Sequence, residues 1–312
     1  MTCCVAALCD DGKTLILISD RMFTTWTIQS VLDVNKLRNL SKHWWVLFSG
    51  DDISPVFDIL DWTREALEKK CNQAAIDESA IPSILVMDSL KKAYERKRLS
   101  QAEALYLTPI HWSVAQFNDK GDKKLPDFME IKGKIASYGL GLDFLVGGFS
   151  SGNGHLFSVS PGQFGMGVTV VRHDVPGFYS VGSGAPGANY MMYYRELSSK
   201  TPARKALYYA MEGKIFGEQA GNVSEETDVF VATSDGKFIA LDEKKTVEKK
   251  LVRVWEKLKP RWIARESADI LNDIPELTGF PPIEKDEDGK PFPPPKPKRP
   301  PQAPAEGDRG QS

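Results

Sequence analysis

The sequence predicts an α+β fold in which two sheets lie between two layers of helices. Apolar, strand-like runs fill roughly the first 50 residues and return after about residue 140, and segments with helical periodicity follow each group. This order of strands, two helices, strands, two helices and strands favours a helix–sheet–sheet–helix domain over alternating βαβ units. The strand runs are continuously apolar rather than alternating, so we expect both faces of each sheet to be covered.

Three strands and two helices are predicted in the first hundred residues. Cys3 to Leu8 and Thr14 to Ser19 flank a turn-rich segment, and Trp44 to Phe48 is a third apolar run. A helix is predicted after them, because Ser54 is a good N-cap residue and a proline follows it. The second predicted helix begins at Ser83 and has an apolar stripe along one face.

The segment from about 100 to 137 has no clear period. Its aromatic residues are scattered among Pro109, Pro126 and polar runs. This pattern predicts an irregular insertion rather than a third sheet or a separate domain.

Strands and helices are predicted again in the second half of the chain. The predicted strands are Leu142 to Phe149, Leu156 to Val159, Val168 to Arg172, Tyr179 to Gly182, Asp228 to Thr233 and Lys237 to Leu241. Two helices, Ala185 to Leu197 and Pro202 to Glu218, lie before the last two strands, and an amphipathic helix from about Val247 to Leu258 follows them.

The composition changes near residue 280. Ten of the 20 prolines lie between Pro281 and Pro304, in a segment almost without aliphatic residues. We therefore predict a domain over 1–280 and a disordered, proline-rich tail over 281–312. The tail is interpreted as a solvated spacer, with docking of its polyproline II segment on an aromatic groove as the alternative.

Charge and composition argue against several classes of protein. Lys and Arg number 40 and Asp and Glu number 42, so the net charge of −2 gives no basic surface for nucleic acid or for an anionic membrane. No apolar run near the start approaches the ~20 residues of a transmembrane helix. Four cysteines are too few for a disulfide framework, which favours a cytoplasmic protein. The four histidines have no metal-ligand spacing, and no cofactor motif is present.

The spacing of a few polar and glycine residues points to a family. Asp20 precedes Lys36 by sixteen residues, Lys36 precedes Gly50 by fourteen, and a Gly182–Ala185 turn with the sequence GSGA opens a predicted helix. In these intervals, and in the segment Lys36–Leu40, the chain resembles the proteasome β subunits and their bacterial relatives, the N-terminal-nucleophile hydrolases. The resemblance spans roughly 2–245 apart from 100–137, and it implies a four-layer αββα sandwich of two mainly antiparallel sheets.

The resemblance also implies a catalytic set. Thr2 becomes the first residue when Met1 is removed, and its own α-amine, with a pKa of ~8 when unperturbed, is then the base that activates its hydroxyl. A nearby Lys36 cation disfavours the protonated amine, and Asp20 holds that lysine in place. The amide of Gly50 is the expected oxyanion donor. Ser183 is expected to support the amine or a bridging water.

Further roles follow from the same resemblance. Thr24, Phe48 and Asp52 are the expected substrate-binding residues, and the acidic Asp52 favours a basic substrate side chain. The expected partners are a peptide or protein substrate, other copies of the chain in a ring, and a separate ATP-dependent unfoldase. No metal or cofactor is expected.

The chain departs from the family pattern at three places. Arg21 stands one position earlier than the family's arginine, and Thr2 to Asp20 spans eighteen residues where the family has sixteen. For the aspartate and serine that the family places before its last core strand, Ser224 and Asp228 are the candidates.

Two alternative functions stay open at this point. One is a catalytically inactive assembly or binding module of the same fold. The other is an acylase whose nucleophile is a terminal cysteine, Cys3 or Cys4, although a buried packing role is the simpler interpretation of these thiols.

Overall fold

The computed structural model describes residues 2–25, 28–31, 35–50, 52–124, 127–162, 167–218, 227–241, 249–253 and 255. The chain divides into two units, Met1–Arg253 and Val254–Ser312. The first unit contains every strand and helix numbered below. The predicted tail over 281–312 and the end of the predicted helix at Leu258 lie outside the described residues.

Two antiparallel five-stranded sheets form the centre of the first unit. The first sheet has the order β10-β1-β2-β11-β12, with strands β1 (Cys4–Cys9), β2 (Thr14–Asp20), β10 (Phe178–Val181), β11 (Thr227–Thr233) and β12 (Phe238–Ala240). The second has the order β5-β6-β7-β8-β9, with strands β5 (Leu37–Ser41), β6 (Trp44–Gly50), β7 (Leu142–Ser150), β8 (Asn153–Pro161) and β9 (Val168–Arg172). A separate two-stranded ribbon pairs β3 (Met22–Thr25) with β4 (Ile28–Val31).

Six α-helices accompany the sheets in the described part of the chain, and residues 249–253 and 255, within the predicted helix from about Val247 to Leu258, are helical as well. The six are α1 (Ser54–Ala74), α2 (Ser83–Tyr106), α3 (Val114–Lys124), α4 (Phe128–Ser137), α5 (Ala185–Tyr194) and α6 (Ala203–Glu218). Ile53, not the predicted Ser54, is the N-cap residue of α1, and Ser54 is its first helical residue.

Apolar side chains pack in distinct layers. One buried cluster joins β6, β7 and β8 to α1 and α2, with Phe48, Val56 and Leu90 among its members. Another joins the two sheets to each other, with Cys4 and Leu17 from one sheet and Leu47 from the other. Helices α5 and α6 contact β1, β2 and β10. The predicted mixed α/β architecture with two antiparallel sheets is therefore confirmed.

The two sheets are aligned so that their hairpin turns meet at one end. Lys13, in the β1–β2 turn, donates from Nζ to the carbonyl oxygen of Gly152 in the β7–β8 turn at 3.0 Å. Because β1 and β7 both run toward these turns, the start of β1 and the end of β6 must lie at the opposite end of the layer between the sheets. A contact of 3.6 Å from Cys4 Sγ to the carbonyl oxygen of Phe48 supports this placement.

The prediction that 100–137 has an irregular conformation is wrong. Helix α2 continues to Tyr106, a short 3₁₀ turn at Thr108–Ile110 accommodates Pro109, and α3 and α4 follow. Two of the scattered aromatic residues join α3 to α4: the ring centroids of Phe117 and Phe128 lie 4.7 Å apart. Sequence periodicity missed these helices because α3 and α4 are short, with only 11 and 10 residues.

Candidate active site

Thr2, Lys36 and Asp20 meet at the end of the layer between the sheets that lies opposite the hairpin turns. Lys36 Nζ donates to Thr2 Oγ1 at 2.7 Å and to Asp20 Oδ1 at 2.9 Å. The side chains of Lys36 and Asp20 are only 2% and 0% exposed. A buried ammonium is thus held by a buried carboxylate and directed at a threonine hydroxyl.

Three different chain segments supply this group. Asp20 is the last residue of β2, Lys36 directly precedes β5, and Thr2 lies two residues before β1. Asp20 Oδ1 also accepts a hydrogen bond from the backbone N–H of Cys3 at 3.1 Å. The carboxylate therefore fixes both the lysine and the backbone that follows Thr2.

The Gly182–Gly184 turn holds the backbone of Thr2 from the other side. The Thr2 nitrogen donates to Ser183 Oγ at 3.2 Å, and Gly184 donates its N–H to the Thr2 carbonyl oxygen at 3.1 Å. Gly182 has a φ of +96°, and a Cβ there would lie 2.3 Å from that carbonyl oxygen. Only glycine satisfies both the left-handed backbone and this close approach.

Gly50 lies at the same end of the layer, as the last residue of β6. It pairs with Leu142 across the sheet, and a Cβ on it would lie 2.8 Å from the Gly141 carbonyl oxygen. Its backbone is therefore packed too closely for a side chain. Its role as an oxyanion donor stays a prediction.

The predicted substrate-binding residues have different surroundings. Phe48 is fully buried among the side chains of the cluster that joins β6 to α1. Asp52 is exposed, and its carboxylate accepts from the Ser54 N–H at 2.8 Å and from the Ser54 hydroxyl at 2.9 Å. Thr24 lies in β3 opposite Gln29. Burial gives Phe48 a packing role and hydrogen bonding gives Asp52 a turn-forming role, and their contact with substrate stays a prediction.

Of the two candidates for the missing aspartate and serine, only Asp228 is described, and Ser224 lies outside the described residues. Asp228 Oδ1 accepts a hydrogen bond from Arg21 Nε at 2.9 Å. The early arginine of the sequence thus forms an ion pair with this aspartate beside the site.

The cysteine thiols near Thr2 are buried, and neither of them forms a disulfide bond. Burial raises the pKa of Cys3 to about 12, with the Lys214 ammonium as the largest opposing influence. Burial also raises the pKa of Cys4 well above its ordinary value. Protonated, inaccessible thiols are poor nucleophiles, so these surroundings support the packing interpretation.

Sequence reasoning missed Lys214, which is fully buried in α6 and forms an ion pair with Glu218. The sequence does contain a signal for this residue: Lys214 follows Ala210 by four residues, so it lies on the predicted inward stripe of that helix. A lysine on an inward stripe indicates a charge held inside the protein.

The part of the chain that the structure describes contains neither a candidate metal-binding group nor a candidate membrane-spanning helix. No group of three or more His, Cys, Asp or Glu side chains has metal-binding geometry there. Nor does any helix in those ranges combine the length and apolar character that crossing a membrane requires.

Comparison with known proteins gives no assignment. No protein-family model matches the chain. A search of curated proteins also finds no match.

Proposed function

We propose that the chain is a hydrolase of the N-terminal-nucleophile type that cleaves peptide or amide bonds through an acyl-enzyme on Thr2. The observation that carries the proposal is the hydrogen bond of 2.7 Å from Lys36 Nζ to Thr2 Oγ1, with Asp20 behind the lysine. The layered architecture supports it, because two facing antiparallel sheets with helices outside are compatible with the four-layer αββα sandwich of that class.

The proposed reaction begins once Met1 is removed and the Thr2 nitrogen is a free amine. The hydroxyl oxygen attacks the substrate carbonyl carbon while its proton passes to the amine. That proton then moves to the leaving nitrogen as the C–N bond breaks, which leaves an ester on Thr2. Water, activated by the same amine, hydrolyses the ester.

Each neighbouring group has a defined task in this scheme. Lys36 stabilises the negative charge that develops on the Thr2 oxygen, and Asp20 keeps the ammonium oriented. Ser183 Oγ, 3.2 Å from the Thr2 nitrogen, positions the amine. The Gly50 amide is the proposed donor to the oxyanion.

Intact mass and peptide turnover test the proposal together. Loss of the mass of Met1 is expected, since the peptide bond to Met1 otherwise occupies the proposed base. A fluorogenic peptide panel should then show turnover that Thr2→Ala lowers by about 10³-fold or more. Thr108→Ala, at an exposed threonine, is the matched control and should retain full turnover. Equal turnover by wild type and Thr2→Ala would overturn the proposal.

A catalytically inactive binding module is the competing proposal. It is favoured by the pairing of Asp228 with Arg21, because the candidate aspartate then has the arginine as its partner. Retention of Met1, with no turnover of any peptide, would support this module. The acylase alternative requires a mature chain that starts at Cys3 or Cys4, which the same mass measurement detects.

The assembly proposals come from the resemblance alone. We propose a homo-oligomeric ring supplied by a separate ATP-dependent unfoldase, in the cytoplasm. Mass photometry of the purified protein tests the ring, and a single-chain mass at micromolar concentration would contradict it.

A further inference from the structure

The layer between the sheets changes from apolar to polar at the end that holds Thr2. Along β2, the side chains of Leu15 and Leu17 pack between the sheets, and Ser19 follows at the next position on that face. Side chains on one face of a strand recur every second residue. Sequence alternation therefore directs Ser19 toward the facing sheet.

The facing sheet shows the same change. Leu47 and Leu145 belong to the apolar cluster between the sheets, and Ser49 and Asp143 follow them on that face. Ser49 and Asp143 are direct partners in the register of β6 and β7, beside Gly50. A hydroxyl and a carboxylate thus stand together on the wall that faces the start of β1.

Asp143 differs from the other carboxylates at this end. Asp20 pairs with Lys36, and Asp228 pairs with Arg21. For Asp143, by contrast, the described residues supply no cation, and the side chain nearest to it in the register of the two strands is the hydroxyl of Ser49. Burial raises the pKa of Asp143, because the charged form of a half-buried carboxylate is disfavoured when no counter-charge is close.

We propose that Asp143, together with Ser49, forms a specificity subsite that binds the guanidinium or ammonium group of a basic substrate side chain. The inference rests on the proposed function, because it assigns the substrate class of the Thr2 site. A cation at this position would complete the pairing that Asp20 and Asp228 already have. The carboxylate accepts from the cation, and the adjacent Ser49 hydroxyl is the proposed donor that orients the carboxylate.

Substrate preference gives the first test. Wild type should cleave peptides with arginine or lysine before the scissile bond faster than the matching norleucine peptide. Asp143→Asn should reduce the ratio of the two kcat/KM values by at least about 10-fold, mainly through KM for the basic peptide. Asp88→Asn, at an exposed aspartate of α2, is the matched control and should leave the ratio unchanged. An unchanged ratio in Asp143→Asn would overturn the proposal.

Binding of agmatine, a small guanidinium compound, gives a test that does not depend on catalysis. Calorimetry should show binding to wild type and to Thr2→Ala, and at least about 10-fold weaker binding to Asp143→Asn. Ser49→Ala, expected to weaken binding by a smaller factor, serves as a second variant if Asp143→Asn does not fold. Agmatine binding that is absent from wild type, or equal in wild type and both variants, would overturn the subsite.

The two experiments separate this inference from the proposed function. If peptide turnover does not depend on Thr2 but agmatine binding depends on Asp143, the hydrolase proposal fails and the subsite stands. If turnover depends on Thr2 but neither preference nor agmatine binding depends on Asp143, the subsite fails and the hydrolase proposal stands.

Discussion

The two ends of the layer between the sheets are built differently. At the hairpin end, the backbone of Gly154 packs closely against the backbone of Gly12. A Cβ on Gly154 would lie 2.5 Å from the Gly12 carbonyl oxygen and 2.7 Å from Leu8 Cδ2. At the Thr2 end, the same layer contains the buried pair of Lys36 and Asp20 and the half-buried Asp143.

The two ends therefore have different expected roles: the hairpin end stabilises the pair of sheets, and the Thr2 end holds the groups proposed for chemistry. Close apolar packing at the hairpin end stabilises the contact between the sheets. Removing charges from water at the Thr2 end costs free energy that only good pairing offsets. The polar end is therefore where we expect local function, and the hairpin end is where we expect substitutions to affect stability alone.

The largest expected effect is at Lys36. Lys36→Met should abolish turnover and lower the free energy of unfolding by about 3–5 kcal/mol, because Asp20 is left as an uncompensated buried charge. Denaturant unfolding measures the loss. The double variant Asp20→Asn/Lys36→Met should recover part of that stability but no activity. Lys97→Met, whose partner Asp58 is half exposed, is the matched control and should change stability by less than about 1 kcal/mol.

If Lys36→Met unfolds no more easily than Lys97→Met, the buried ion pair is not a special feature of the Thr2 end. The contrast drawn between the two ends would then be wrong in energetic terms.

Gly182 gives the next largest effect. Gly182→Ala should destabilise the protein by about 3 kcal/mol and lower turnover by at least about 10-fold, because its Cβ would displace the Thr2 carbonyl. Gly152→Ala is the matched control: its φ is +77°, but nothing lies within 4 Å of the added Cβ. It should cost only the backbone strain, about 1 kcal/mol. Similar stability and activity in the two variants would contradict the proposed support of Thr2 by this turn.

Much of this architecture could be predicted because strand and turn signals are local. The continuous apolar runs of β1, β2 and β6 identify strands covered on both faces, and their turns contain the expected glycines. The grouping of Thr2, Asp20, Lys36 and Ser183 was also predicted, from the intervals between Asp20, Lys36 and Gly50 and from the GSGA turn, although the interval from Thr2 to Asp20 departs from that pattern.

The residues that were missed depend on tertiary contacts. Register between β6 and β7, which no local pattern specifies, places Asp143 opposite Ser49. Strand alternation directs the Phe48 side chain to the helix side, which the resemblance did not indicate, and contact of Phe48 with substrate stays a prediction. The short helices α3 and α4 depend on the pairing of Phe117 with Phe128, two residues that are eleven positions apart.

At the hairpin end, Gly154→Ala tests stability without chemistry. The added Cβ would overlap the Gly12 carbonyl oxygen and Leu8, so the free energy of unfolding should fall by about 2 kcal/mol. Turnover per folded molecule should equal that of wild type, because this end contains none of the proposed catalytic groups. A loss of turnover as large as that of Gly182→Ala would show that the two ends are coupled.

The smallest expected effect concerns a polar pair near β10. His173 is buried, its Nε2 lies 2.9 Å from Ser158 Oγ, and its ring stacks on Tyr179 at 3.7 Å between centroids. Burial lowers the pKa of His173 from 6.5 to about 4, so the folded protein keeps the ring neutral while the unfolded chain binds a proton. Stability from this group is complete above about pH 6.5 and is lost as the pH falls toward 4.

Unfolding of His173→Gln at pH 7 and pH 4.5 measures this contribution. Wild type should lose about 1–2 kcal/mol more between the two pH values than the variant does, because glutamine does not titrate. His111→Gln, at an exposed histidine, is the control and should follow wild type. An equal loss in wild type and His173→Gln would mean that water reaches this ring. The close packing at the hairpin end would then not extend along the layer to His173.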